Sequence, residues 1–345
     1  MATKRELPWK EEGIDRFFGR PTEGALETMR NIEGDVALLG VGGKMGPTMA
    51  SMLRQGFDRL GKKNRIFGVS RFSNPRMIEL LESFGVEIVR CDLLNRDEVA
   101  RLPEASNVVT MSAFKFGAAS APEMAWAMNT IVPVYIAERF PAARIVVFST
   151  GCVYSFSSAQ EGGSREDSPM EPPGDYANSC IGRERVFTHF SKKHKTPVAI
   201  FRLNYAIDLR YGVLVDIAQK VLHGEPVDVG MGYVNIIGQG DAVARAIQCF
   251  DHTDCPPFVI NVTGPEVLRV RDLAQEFGER FGVELKITGE EEPNALLSNA
   301  RKSMELFGPL TVDAGTMIEW VACYMKDGGE LLGKPTHFET RSGKF

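Results

Sequence analysis

The stretch Leu39-Gly40-Val41-Gly42-Gly43-Lys44-Met45-Gly46 is the part of the chain most plainly built for chemistry. Gly40, Gly43 and Gly46 give G-x-x-G-x-x-G, directly after the apolar run Val36-Ala37-Leu38-Leu39 and directly before a helical stretch over 47–60. With no Cβ in the way, such a turn lets main-chain N–H groups close on a diphosphate, and the following helix adds partial positive charge at its N-terminus. A glycine triplet alone is a weak signal; its place between strand and helix makes it a dinucleotide signature.

The rest of the first two hundred residues supplies the elements such a turn needs. Short apolar strands are expected at 65–69, 86–89, 107–111, 143–148 and 197–201, with helices between them. Short apolar strands alternating with helices imply a parallel sheet covered on both faces, and right-handed crossovers make it doubly wound. The fold class expected is therefore α/β: a Rossmann-type doubly wound parallel sheet with a smaller, interleaved C-terminal α/β substrate domain. Residues 1–33 read as an N-terminal extension with one short amphipathic helix after Pro21. Residues 34–204 read as the dinucleotide-binding Rossmann domain. Residues 205–345 read as mainly substrate-binding, interleaved with the last sheet elements.

Composition excludes several alternatives. A net charge of −5 with 25% charged residues argues against a nucleic-acid or membrane-surface footprint. The short basic cluster Lys192, Lys193, His194 and Lys195 reads as a solvated helix end. Six scattered cysteines without C-x-x-C fit neither a zinc site nor a disulfide framework, so no metal is expected and a reducing, cytoplasmic setting is. The first twenty residues lack the apolar core of a signal peptide. No run reaches the ~20 apolar residues of a membrane span.

Further motifs, in order, resemble the extended short-chain dehydrogenase/reductases of the NAD(P)-dependent epimerase/dehydratase family. They are Gly68-Val69-Ser70-Arg71 at the end of the second strand, Cys91-Asp92-Leu93-Leu94 after the third, and Thr110-Met111-Ser112-Ala113-Phe114-Lys115 at the fourth. Ser149-Thr150-Gly151-Cys152-Val153-Tyr154 follows at the fifth, and Asn261-Val262-Thr263-Gly264 and 300–308 come later. The resemblance implies that Gly40, Gly43, Lys44, Met45 and Gly46 border the diphosphate and that Asp92 and Leu93 border the adenine. Ser112, Ala113, Lys115 and Tyr176 would lie on the nicotinamide side, and Asn129 would organise the active site. NAD-specific members carry an acid where Ser70 stands. Ser70 removes repulsion of a 2′-phosphate and Arg71 offers it a charge, so NADP is expected, with NAD possible. Thr150 falls at the position of the catalytic Ser/Thr. The resemblance also implies a homodimer through helices over 123–139 and 175–192.

The family's Y-x-x-x-K signature is broken. Tyr176 is in place, but Cys180 occupies the lysine position. Without a nearby cation a tyrosine stays near its reference pKa of about 10 and is a poor base at neutral pH. Three readings stay open. Arg183, two helical turns after Tyr176 and on the same face, or Lys115 replaces the lysine. Alternatively, the protein binds dinucleotide without redox chemistry, as a regulator or scaffold. In the third reading Cys180 itself reacts. On the substrate side, Asn235 and Gln239 stand where nucleotide-sugar members have arginine and histidine, and Tyr205 follows Arg202 where they have asparagine. The expected substrate is therefore a small carbohydrate-like molecule with a hydroxyl or ketone to oxidise, reduce or epimerise.

Overall fold

The computed structural model describes residues 11–115 and 117–343, so the first ten residues of the expected N-terminal extension lie outside it. Its centre is a seven-stranded, wholly parallel sheet. The strands are β1 (Val36–Leu39), β2 (Ile66–Ser70), β3 (Glu87–Arg90), β4 (Asn107–Thr110), β5 (Arg144–Thr150), β7 (Val198–Leu203) and β12 (Phe258–Val262), in the order β12-β7-β5-β4-β1-β2-β3. β1, an unbroken apolar run, and β4, whose Asn107 and Thr110 are buried polar residues, are buried along their whole length, whereas the edge strand β3 is partly exposed. The chain runs from β1 outward to β3, then returns to lay β4 on the other side of β1. That reversal makes the crevice at the carboxyl ends of β1 and β4 the topological switch point.

Helices cover both faces: α1 (Glu11–Phe18), α2 (Glu23–Arg30), α3 (Gly46–Arg59), α4 (Pro75–Ser83), α5 (Arg96–Ala100), α6 (Pro122–Trp126), α7 (Val132–Arg139) and α8 (Asp175–His194). The later part adds α9 (Val213–Leu222), α10 (Gln239–Gln248), α11 (Val270–Phe281), α12 (Arg301–Phe307) and α13 (Ala314–Lys326). Four two-residue pairings stitch it together: β6 (Ser157–Ser158) with β15 (Asn294–Ala295), β8 (Ala206–Ile207) with β11 (Ile237–Gly238), β9 (Val227–Asp228) with β14 (Ile287–Thr288), and β10 (Tyr233–Val234) with β13 (Leu268–Arg269). Residues 258–262, within the stretch expected to interleave with the last sheet elements, form the outer strand of the main sheet.

The helix expected after Pro21 is α2, capped by the Thr22 hydroxyl, which accepts from Ala25 N; such a cap is worth about 1 kcal/mol. α1 has no counterpart in the sequence reading, and it is no surface ornament. Its Ile14 is fully buried, and its Asp15 is buried too, accepting from Thr48 Oγ1 on α3 at 2.6 Å and from Arg210 at 3.0 Å. Arg210 also pairs with Asp208 at 2.8 Å. This acid–arginine–acid chain ties the first helix to the loop between β8 and α9.

Candidate active site

Gly40 adopts φ +81°, and a Cβ there would lie 2.8 Å from Ser112 N at the end of β4. A Cβ on Gly46 would lie 1.8 Å from Val41 O. Both glycines are therefore sterically obligatory: the turn presses against β4 on one side and folds on itself on the other. Gly42 and Gly43 are exposed at its tip. α3 starts at Gly46 with Pro47 in its first turn, where a missing N–H costs nothing. Ser70 ends β2 beside this tip; a Cβ on Gly42 would come within 2.8 Å of its Oγ. Arg71 is exposed beyond it. Asp92 is half-buried and accepts from Leu94 N at 3.0 Å; Leu93 is buried. Ser112 Oγ lies 3.3 Å from Thr110 Oγ1, and Ala113 is exposed. These residues fit a nicotinamide dinucleotide: main-chain amides at a helix start for the diphosphate, and polar side chains at the ends of β2 and β3 for the adenosine side.

Beside the turn lies a cavity of about 200 Å³ bordered by Thr150, Tyr176 and Lys115, together with Lys44, Cys152, Asn204, Tyr205, Tyr211 and Thr336. Five sequence-predicted residues, Thr150, Tyr176, Lys115, Lys44 and Met45, thus meet at one place. Thr150, the last residue of β5, accepts from Cys152 N at 3.1 Å. That leaves its own O–H available as a donor. Tyr176 sits in the first turn of α8, four residues before the buried Cys180. Burial drives the Tyr176 pKa well above the ordinary phenol value, the Cys180 and Cys152 thiols push the same way, and Arg183 opposes them. Burial likewise pushes Cys180 up to about 11. Both groups are proton-bearing at neutral pH.

Arg183 does not border the cavity. Its side chain is buried behind Tyr176, donating to Phe148 O at 2.6 Å and to Asn129 Oδ1. Asn129 lies on a single widened π-turn (Ala127–Ile131) between α6 and α7, and its amide donates to Ser179 Oγ at 2.9 Å. Such turns often re-aim side chains at functional sites. Here the turn aims Asn129 at α8, linking Arg183 to the Tyr176–Cys180 pair. Lys115 does border the cavity, donating to Thr336 O at 3.4 Å.

Other contributors are not marked by the sequence as lining this cavity. Tyr205, at φ +40°, is a non-glycine residue in left-handed backbone, a strained conformation of the kind that concentrates at functional sites; Asn204 beside it also borders the cavity. Thr336 comes from the segment after α13, held by its N and Oγ1 donating to Asp216 at 2.8 and 2.6 Å, with Leu332 N donating to Arg210 O at 3.1 Å. Lys44 is legible in the sequence only as a member of the turn. Its side chain crosses to β8, where Nζ donates to Ala206 O at 2.8 Å and lies 4.3 Å from the Tyr211 ring centre. Asn235 and Gln239 are buried: Asn235 donates to Ser298 O and accepts from Asn204, and Gln239 Nε2 donates to Thr48 while its Oε1 has no partner among the described residues.

Among solved structures, UDP-glucose 4-epimerase from Thermotoga maritima is similar, at 15% identity over 85% of this chain and 99% of that one, with a TM-score of 0.72. A mutant form of UDP-glucuronic acid 4-epimerase from Bacillus cereus gives 17% over 85% and 99%, with a TM-score of 0.72. An epimerase from Methanothermobacter thermautotrophicus gives 16% over 90% and 97%, again at 0.72. At such identities the likeness concerns the fold. No curated protein sequence matches the chain. Residues 36–230, more than half of the chain, match the NAD dependent epimerase/dehydratase family, and with the glycine turn, the switch-point crevice and the Thr150–Tyr176 cavity in place, the chain belongs to that family.

Proposed function

We propose that the protein is an NADP-dependent oxidoreductase or epimerase acting on a hydroxyl or ketone of a small, sugar-like molecule. The observation that carries this reading is that Thr150 and Tyr176 border one cavity beside the glycine turn. When bound, the nicotinamide ring supplies hydride acceptance or donation. The Thr150 hydroxyl donates to the substrate oxygen, its own acceptor face being taken by Cys152 N. Tyr176, held protonated by burial, acts as a second donor or as the acid when an alkoxide forms; it is not a resting base. Arg183 positions α8 through Asn129 and Phe148 O. Ser70 and the exposed Arg71 favour the 2′-phosphate of NADP.

The solved structures support a sugar substrate by analogy: the Thermotoga maritima epimerase is described with UDP-glucose, and the Bacillus cereus epimerase with UDP-4-deoxy-4-fluoro-glucuronic acid and NAD. In this chain the buried, internally bonded Asn235 and Gln239 are not offered to a nucleoside diphosphate, which favours a smaller substrate. A homodimer through α6, α7 and α8 agrees with the exposed Trp126 and Ile131 on that face.

The test is stopped-flow absorbance at the reduced-nicotinamide band with NADPH and NADH against sugars, keto sugars and sugar acids. Turnover with NADPH supports the proposal. Tight dinucleotide binding without turnover on any substrate favours a second reading, a dinucleotide-binding regulator or scaffold. One observation speaks for that reading: one turn after Tyr176 the helix carries the buried Cys180 where the family has a cation.

A further inference from the structure

The cavity contains a cation that the family motifs place only as a member of the glycine turn. Lys44 leaves the glycine turn and directs its ammonium across the crevice to β8, where the described residues offer it one acceptor, Ala206 O at 2.8 Å, and one aromatic face, Tyr211 at 4.3 Å. An ammonium has three donors, so two remain for whatever enters the cavity. Lys115 borders the same space, and among the described residues no carboxylate does. The acids that feel Lys44 from neighbouring elements are engaged elsewhere. Asp208 and Asp15 hold Arg210, and Asp216 holds Thr336 N and Oγ1. Burial of this ammonium lowers its pKa to about 8, against the raising pull of Asp208, Asp15 and Asp216 and with the lowering push of Arg210.

A half-buried cation with unfilled donors in a cavity is costly unless an anion completes it. We propose that Lys44 is a specificity residue that receives the carboxylate of a small sugar acid, so that the substrate of the proposed reaction is anionic. The proposal rests on the function proposed above. The diphosphate of the dinucleotide is the other source of negative charge, but main-chain amides and the start of α3 serve it, and the Lys44 side chain is turned to β8 instead. Among the described residues no arginine borders the cavity, so the planar two-point clamp typical of phosphate recognition is missing, whereas a single point charge suits a carboxylate.

The test uses the full chain loaded with NADP, by titration calorimetry, with six-carbon sugar acids each paired with its neutral methyl ester, in the unaltered protein, Lys44→Met and Lys44→Arg. The dinucleotide titration is done first. The expected result is at least a tenfold preference of the unaltered protein for one acid over its ester. That preference vanishes in Lys44→Met and persists in part in Lys44→Arg. The preference also fades above pH 8, as the ammonium loses its proton. Equal affinity for every acid and ester overturns the proposal. A tenfold or greater loss of NADP affinity in Lys44→Met also overturns it, by making Lys44 a diphosphate ligand. If the unaltered protein binds no dinucleotide, the proposed function fails at the first titration, which separates that failure from this one.

Discussion

Replacing Lys44 with methionine should stabilise the ligand-free protein at pH 7 and lose that advantage in alkali. The ammonium is held at about 8 instead of 10.5, with burial the largest cause. At about 1.4 kcal/mol per unit, burying the charged form costs roughly 3 kcal/mol. The variant gives up a hydrogen bond to Ala206 O and a contact with the Tyr211 ring, each worth about 1 kcal/mol. Methionine retains much of the apolar stem, so the net gain is about 1–2 kcal/mol, or a rise in Tm of about 2 °C for a chain of this length. The sign follows from proton counting. Below pH 8 lysine is charged in both states and the folded state bears the whole penalty. Between 8 and 10.5 the unfolded chain binds more protons than the folded one, so the stability of the unaltered protein rises with pH. Above 10.5 neither state is charged and the penalty is gone. Urea unfolding of both proteins at pH 7 and at about pH 10.5 measures this: the variant should be ahead at pH 7 and level or behind in alkali. A variant destabilised equally at both pH values would refute the picture of Lys44 as an uncompensated buried cation.

Other expectations concern different parts of the site. Difference absorbance at 295 nm between the unaltered protein and Tyr176→Phe should show no phenolate from Tyr176 below about pH 10, since burial raises its pKa; a transition near neutrality would contradict this. Gly46→Ala should weaken dinucleotide binding at least tenfold in calorimetry, because its Cβ meets Val41 O at 1.8 Å and the turn must deform. Ser70→Asp should reverse the coenzyme preference from NADPH toward NADH in fluorescence titration, by about tenfold or 1.4 kcal/mol. Arg210→Met strands two buried carboxylates, Asp15 and Asp208, and should cost about 3–5 kcal/mol in urea unfolding.

The parallel sheet is readable because its strands are short, largely apolar runs set between helical stretches, and the glycine turn because its two outer glycines have no steric alternative. What escapes is set by contacts far apart in sequence. α1 is held by Asp15 reaching Arg210, 195 residues away, and no local pattern announces such a partner. Residues 258–262 look like any strand of a small α/β region until their pairing with β7 is seen. Spacing puts Arg183 on the Tyr176 face of the helix, but it fixes direction and not the acceptor. The guanidinium goes to Phe148 O and Asn129 because these are the groups behind α8. Lys44 shows the same limit. Its backbone position is clear, while the course of its side chain depends on β8, a two-residue strand with no signal of its own.

The wall that carries Thr336 leaves the ribosome after every strand of the main sheet, up to β12 at 258–262, has been synthesised. Asp216 by then waits on α9 for the two donors of Thr336. The nascent protein can therefore assemble its nucleotide crevice before it has a closed reaction chamber. Any early encounter with coenzyme would take place without the enclosure that chemistry requires.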